Sequence, residues 1–419
     1  MTPLPRLEAV LARRLRGIFR KAIGSRKHPP PVVWFVPGDK GSTLAVLETP
    51  DVIVTCQLPL LRLDGPACIP WPKFAKDSGP LELENASTKP LGVPAVPREW
   101  SENDAKLLTA LDEADGATAK EGSRYLLHRV QVRGKRGEIV ATDTKMALIW
   151  SGWSFPFGED VLVARTSVFG MPEFASAKAV KIGRTTTHLV IAVDAWTVFL
   201  AIDASGRFPD VQSIVPRLTT ARTRLWLDPA EGEVLVTALA KLPGRTDDSS
   251  PVTLDLGNHV VLRARGEGDE RATVVPLPAS RVVGPSQCLT VDRRHLARAC
   301  RLGCREIEFT TAEKPVAARH GALTLVWMPL PGGGVSASPK DVHTTLAAIA
   351  GQPVKSAHCE ANAKSLSSSS PVASVSVSAE SSPYACNSPQ SRPGLFDTLI
   401  AGSNWLLSTI RLKSLNRAS

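Results

Sequence analysis

Eight histidines and seven cysteines are the side chains best suited to covalent or metal chemistry, and their spacing assembles no site. No HExxH, CxxC or GxSxG run occurs. A helix-borne zinc pair, a redox dithiol and a nucleophile elbow are therefore not written in this chain. Cys300 and Cys304 stand four apart in an expected helix with His295 nearby. That group could seat a metal, but no fourth ligand is in view, and small packed thiols are the plainer account. Gly38-Asp39-Lys40-Gly41-Ser42 bears glycines without phosphate-loop spacing, which a hairpin turn explains. Asp143 follows a strand, but no paired carboxylate accompanies it. The chemistry the spacing does support is electrostatic. Arg13, Arg16 and Arg20 recur at helical intervals, and Arg293, Arg294, Arg298 and Arg301 cluster in a second expected helix. Rows of guanidinium groups suit phosphate. The expectation is a protein that is not an enzyme and uses neither metal nor cofactor.

Composition sets the frame for those arginines. The chain has 419 residues, 43% hydrophobic and 21% charged. These values exclude a wholly disordered, a collagen-like and a polytopic membrane protein. No apolar run reaches the roughly 18–20 residues of a spanning helix. Fifty Lys+Arg against 40 Asp+Glu give a formal charge of +10. Such a balance favours a polyanionic partner, nucleic acid before anionic lipid. Arg6, Arg13, Arg14, Arg16, Arg20, Lys21, Arg26 and Lys27 face the lone Glu8 over residues 6–27. The segment lacks an apolar signal core, so it is not a secretory leader, although its Arg-rich start also resembles a transit peptide. Leu7, Leu11, Leu15, Ile18 and Ala22 give it an apolar stripe at helical spacing. Odd, sparse cysteines imply no disulfide framework and a cytoplasmic setting.

Proline and glycine punctuate the rest into short β-rich runs. Strands are expected at 32–36, 43–48 and 51–58, and a linker at 89–98. A helix over 101–115 is expected to be N-capped by Ser101, and its Glu102, Asp104, Asp112, Glu113 and Asp115 would make it acidic. Further strands follow to Ile202, then a turn-rich stretch over 204–216. A helix over 229–241, more strands and a helix over 292–304 complete a third block. Three times a strand pair leads into a strand and a short helix, with another helix before each set. After Leu330 the pattern breaks, and 331–392 reads as a Ser/Pro-rich disordered linker. Leu395, Leu399, Leu406 and Ile410 could share one face of a C-terminal helix, either a docking or membrane-surface segment or an inert tail.

The run from Arg124 to Arg217, with VATDTKMAL, VLVARTSVF, AVKIG and GRFPDVQSIVP, resembles the middle domain of the bacterial DNA sliding clamp, the DNA polymerase III beta subunit. CLTVDRRHLARACRLGCREIEF, ending in TLVWMPL, is similar to that clamp's last domain. The resemblance implies an α+β fold of three tandem clamp domains, over 1–96, 97–217 and 218–330; the disordered tail expected from composition over 331–419 is a departure, since family chains stop near Leu330. It implies a homodimeric ring, closed through domain one of one chain and domain three of the other, that encircles duplex DNA as a processivity factor in DNA replication. Arg13, Arg16, Arg20, Arg293, Arg294, Arg298 and Arg301 would then bind phosphates without reading bases. DNA polymerase and clamp loader would bind by short peptides in a groove between the middle and last domains. Its matching positions are Leu127, Thr142, Thr144, Lys145, Met146, Ala147, Pro216, Val326 and Met328. The family has Gly-His-Arg-Leu where this chain has Thr144-Lys145-Met146-Ala147, so a reshaped groove is expected. The alternative is a clamp-fold paralogue that serves as a protein-binding scaffold without encircling DNA.

Overall fold

The computed structural model describes residues 6–351, apart from 25–30, 39–40, 78, 87–91, 121–124, 218, 220, 247–248 and 333. The proposed C-terminal helix and most of the expected linker lie outside the described residues. The chain divides into two compact units, one reaching to Val215 and adding Gly321–Val326, the other holding Pro216–His320 and the stretch from Trp327.

The first unit contains two copies of one motif. The first copy runs β1 (Arg6–Leu7), α1 (Ala9–Ile23), β2 (Val32–Pro37), β3 (Thr43–Glu48), β4 (Val52–Leu58), β5 (Ala67–Pro70), α2 (Trp71–Lys76), β6 (Leu81–Glu82) and β7 (Glu84–Asn85). The second runs β8 (Trp100–Asp104), α3 (Lys106–Asp115), β9 (Arg129–Arg133), β10 (Glu138–Thr142), β11 (Met146–Ser151) and β12 (Asp160–Ala164), then β13 (Ala179–Arg184), β14 (His188–Val193) and β15 (Trp196–Ala201). In the second unit the order is β16 (Thr223–Trp226), α4 (Pro229–Lys241), β17 (Pro251–Leu256), β18 (Val260–Ala264), β19 (Thr273–Leu277), β20 (Arg281–Val283), β21 (Gln287–Asp292), α5 (Arg293–Arg301), β22 (Glu306–Phe309) and β23 (Val316–His320). β24 (Leu323–Trp327) follows, then β25 (Val342–His343) and α6 (Leu346–Ala350).

The repeat is visible in strand order. β5-β2-β3-β4, β12-β9-β10-β11 and β21-β17-β18-β19 are the same four-strand arrangement used three times. The first two copies share one sheet because β4 pairs antiparallel with β15, from Trp196↔Cys56 to Leu200↔Val52. Ala12, Leu15, Ile18, Phe19 and Ala22 form the buried stripe of α1. Phe19 packs against Phe74 and Trp196 at ring distances of 6.2 and 6.4 Å, and Phe174 meets Trp196 at 6.1 Å. Burying such rings supplies most of the local stabilisation. In the third copy α4 begins at Pro229 after Asp228, whose carboxylate accepts from the Ala230 and Glu231 N–H groups.

Three expectations need correction. The acidic helix does not begin at Ser101. Trp100–Asp104 is a strand, in register with Ala179–Gly183, and Asp104 accepts from the Lys106 N–H at 2.8 Å, one turn later than expected. Cross-strand pairing here overrides a plausible cap, so Glu102 and Asp104 are not on the helix. The second helix of the middle copy is replaced by two 3-10 turns, Val168–Gly170 and Pro172–Phe174. Pro172, which has no N–H to donate, divides them. Thirdly, ordered structure does not stop at Leu330, since β25 and α6 lie in the segment read as linker.

Candidate functional site

Helix α1 carries Arg13, Arg14, Arg16, Arg20 and Lys21 and no acid. Its buried stripe forces these side chains toward the remaining surface. Arg13 and Arg20 are exposed. Arg16 is half-buried, with its guanidinium 5.6 Å from the Phe74 ring centre. Burial is the main reason its pKa is lowered, opposed by Asp77 and reinforced by Arg13 and Arg20. Arg14 and Lys21 were not singled out from sequence, yet both are exposed. Arg14 lies 5.9 Å from the Trp196 ring centre. The acid-free run RRLRGIFRK was the signal that could have included them.

Helix α5 in the other unit is also basic, and its acidic first-turn positions are empty. Asp292 caps it by accepting from the Arg294 N–H at 2.9 Å. Burial opposes ionisation of Asp292, but side-chain and backbone hydrogen bonds from Arg294 outweigh it and hold the carboxyl below its usual range. Arg294 is thereby paired with Asp292 at 2.5 Å, while 47% of its side chain stays exposed. Arg301 is exposed and Arg298 half-buried. Arg293 is the correction in this group. It is 3% exposed, and its guanidinium donates to the carbonyls of Leu242 and Pro243. Those are carbonyls at the end of α4, which have no intrahelical donor. Arg293 is a structural clasp and presents nothing to a phosphate.

Helix α3 keeps three acids, Asp112, Glu113 and Asp115. They do not form an open negative face. Asp112 accepts a backbone hydrogen bond from Gly170, and burial, ahead of the neighbouring acids, raises its pKa. Asp115 lies 4.0 Å from Arg165.

The expected peptide-binding positions divide between the units. In the first, Leu127, Thr142, Met146, Ala147 and Val326 are each no more than 3% exposed, while Lys145 is exposed. Thr142, Lys145, Met146 and Ala147 flank the turn from β10 to β11. Thr142 Oγ1 donates to the Met146 carbonyl at 2.7 Å, and Asp143 Oδ1 accepts from the Lys145 and Met146 N–H groups at 2.9 and 2.8 Å. Thr144 sits at φ 80° in this turn. A β-branched residue is strained there, at the position where the resemblance expects glycine. Thr144→Gly is expected to raise stability by roughly 0.5–1 kcal/mol, the relieved strain exceeding the added chain entropy. Urea unfolding checks this, and a loss of stability would show the turn unstrained. Pro216 and Met328 belong to the second unit, and both are half-buried.

Cys300 and Cys304 are 3% and 0% exposed, and burial pushes both thiols up to about 12. They are protonated core side chains. Among the described residues no group of three or more His, Cys, Asp or Glu could hold a metal, and no helix is long and apolar enough to cross a membrane.

No protein-family model matches this chain, and no curated protein matches it by sequence. Solved structures do. A sliding clamp, DNA polymerase III subunit beta, from Bartonella birtlesii bound to griselimycin is 16% identical with a TM-score of 0.63, over 78% of this chain and 99% of that one. The Bacillus subtilis sliding clamp is 14% identical with a TM-score of 0.64, over 78% and 98%. The C. crescentus beta sliding clamp, solved with polyethylene glycol bound, is 15% identical at 0.64 over the same shares. The fold is that of the bacterial sliding clamp, in a chain strongly diverged in sequence.

Proposed function

We propose that this protein is a sliding-clamp-like factor that rides on duplex DNA and tethers a replicative polymerase. The observation that carries the reading is the pair of acid-free basic helices, α1 and α5, in the first and third copies of a clamp fold. Phosphate contacts from Arg13, Arg16, Arg20, Arg294, Arg298 and Arg301 fix no base sequence, so the protein can move along the duplex. Polymerase and clamp loader would engage the exposed Lys145 turn, and Pro216 and Met328, through short peptides with apolar anchors. Nothing in this role needs a reaction step, and the reading is of a non-enzymatic factor acting in the cytoplasm. The resemblance implies that two copies close head to tail around the DNA, so that topology rather than affinity provides processivity; that closure requires the third copy to present an open strand edge to the second chain.

A second reading, a clamp-fold scaffold that does not encircle DNA, is favoured by one observation. In the second copy, β13, β14 and β15 occupy Ala179–Ala201 before the next copy opens at Thr223. In the first copy, only residues 83–99 separate β6 from β8. That chain is too short to build the equivalents of β14 and β15 and also reach the next copy. Among the described residues the first copy has no counterpart of the strand that β15 contributes in the second.

The first reading requires the polymerase tether; the scaffold reading does not. Primer extension on a long template, with polymerase scarce, is expected to yield longer products per binding event when this protein is present. Unchanged product length at saturating protein would contradict the tether.

A further inference from the structure

The internal repeat also shows what should happen at the last strand of each four-strand arrangement. In the first copy β4 takes β15, a strand from further along the chain. In the second copy β11 takes β24, again from further along. The equivalent strand of the third copy is β19, and its neighbour is β25 of the same chain. This pairing is parallel and short, with Thr273 opposite Val342 and Val274 opposite His343.

The attachment is made of main-chain bonds and polar clips. Val342 N–H donates to the Ala272 carbonyl at 2.8 Å and Thr344 N–H to the Val274 carbonyl at 3.0 Å. The Asp341 carboxylate accepts from the Ala272 N–H at 3.1 Å and the Ser338 N–H at 2.8 Å, fastening both the strand and the turn before it. Val335 N–H donates to Thr253 Oγ1 at 2.8 Å. Lys241 Nζ donates to the Ala350 carbonyl at 2.7 Å, at the far end of α6. No residue of α6 is buried, and Val342 is 51% exposed. An open cleft of about 530 Å³ lies among Lys241, Arg271 and Val342. α6 also packs against α4 with Leu346, Ala347 and Ile349 half-buried, so the segment covers an edge with no fully buried helix side chain.

β19 carries a second restriction of its own. Pro276 stands within it, opposite Val261, whereas β4 and β11 contain no proline. Proline has no N–H for a ladder and belongs on edge strands. Short partners and proline are both ways of blunting a sheet edge against other chains.

We propose that β19 is a strand-acceptor edge closed in cis by residues 335–351 at Thr273 and Val274, so that a second chain cannot pair there while this segment is seated. The inference stands on sheet topology and goes beyond the DNA-tracking reading; its test uses no DNA. Two full-length variants, Asp341→Ala and Asp341→Ala with Val342→Pro, weaken the cap and leave β19 unaltered. A fluorescent synthetic peptide spanning residues 335–351 is titrated against each and against the wild type. The expected result is at least tenfold tighter uptake by the variants, because their acceptor edge is vacated. Equal uptake by all three, or uptake by none, would overturn the proposal. If the double variant fails to fold by circular dichroism, the single variant carries the comparison. Hydrogen exchange on the wild type gives an independent reading. The Val342 and Thr344 amides should exchange at least tenfold slower than in the free peptide, and equal rates would likewise overturn it.

Discussion

Replacing Arg13, Arg20, Arg298 and Arg301 together by alanine is expected to lower the slope of log K against log salt for duplex DNA by about three to four units, at roughly 0.9 per lost phosphate contact. All four lie on the two basic helices, and none is as buried as Arg293. Affinity should fall for every duplex alike, since phosphate contacts carry no sequence information. Arg293→Ala provides the contrast. It removes a buried guanidinium from the Leu242 and Pro243 carbonyls. It should cost about 1.5–3 kcal/mol of stability and leave the slope unchanged. A fluorescence-anisotropy salt series separates the two. An unaltered slope in the quadruple variant would remove α1 and α5 from the DNA interface.

Arg319→Ala is expected to have the largest effect on stability, about 3–5 kcal/mol, because it strands a buried carboxylate. Glu308 on β22 has a side chain 0% exposed, and Arg319 Nε on β23 lies 3.3 Å from its Oε2. Glu308 Oε1 has no hydrogen-bond partner among the described residues. Arg319 also donates from Nη2 to the Pro216 carbonyl at 2.9 Å, so the same substitution should loosen one of the expected peptide positions. Combining Arg319→Met with Glu308→Gln removes both charges and should recover a large part of the loss. Urea unfolding of Arg319→Met, of Glu308→Gln and of their combination decides between a coupled pair and two independent groups. Additive effects would exclude the coupling.

The fold was legible where apolar residues run almost without interruption between turn signals. TLAVLE and VIVTCQL form β3 and β4 within a residue of their expected bounds, and nearly every position in both is buried or half-buried. Ser101 misled because a cap pattern is local, whereas the pairing of Trp100–Asp104 with Ala179–Gly183 is not. Arg293 misled for a similar reason. A charge in a basic run reads as solvated until the position of the preceding helix end is known. β25 was illegible, since two residues have no periodicity and the partner that holds them is remote in sequence. Thr144 was flagged as a departure in the sequence, but only its φ of 80° shows that the departure stores strain.

The short first copy, Pro276 and the seated cap all bear on whether the protein encircles DNA. The most direct measurement is retention of the wild-type chain on nicked circular DNA and on the same DNA linearised. After incubation in high salt, which removes phosphate-held protein, the account with β19 closed in cis predicts equal loss from both forms. Protein that stays on the circle and leaves the linear duplex would contradict it, and would show that the chain closes around DNA with its cap in place.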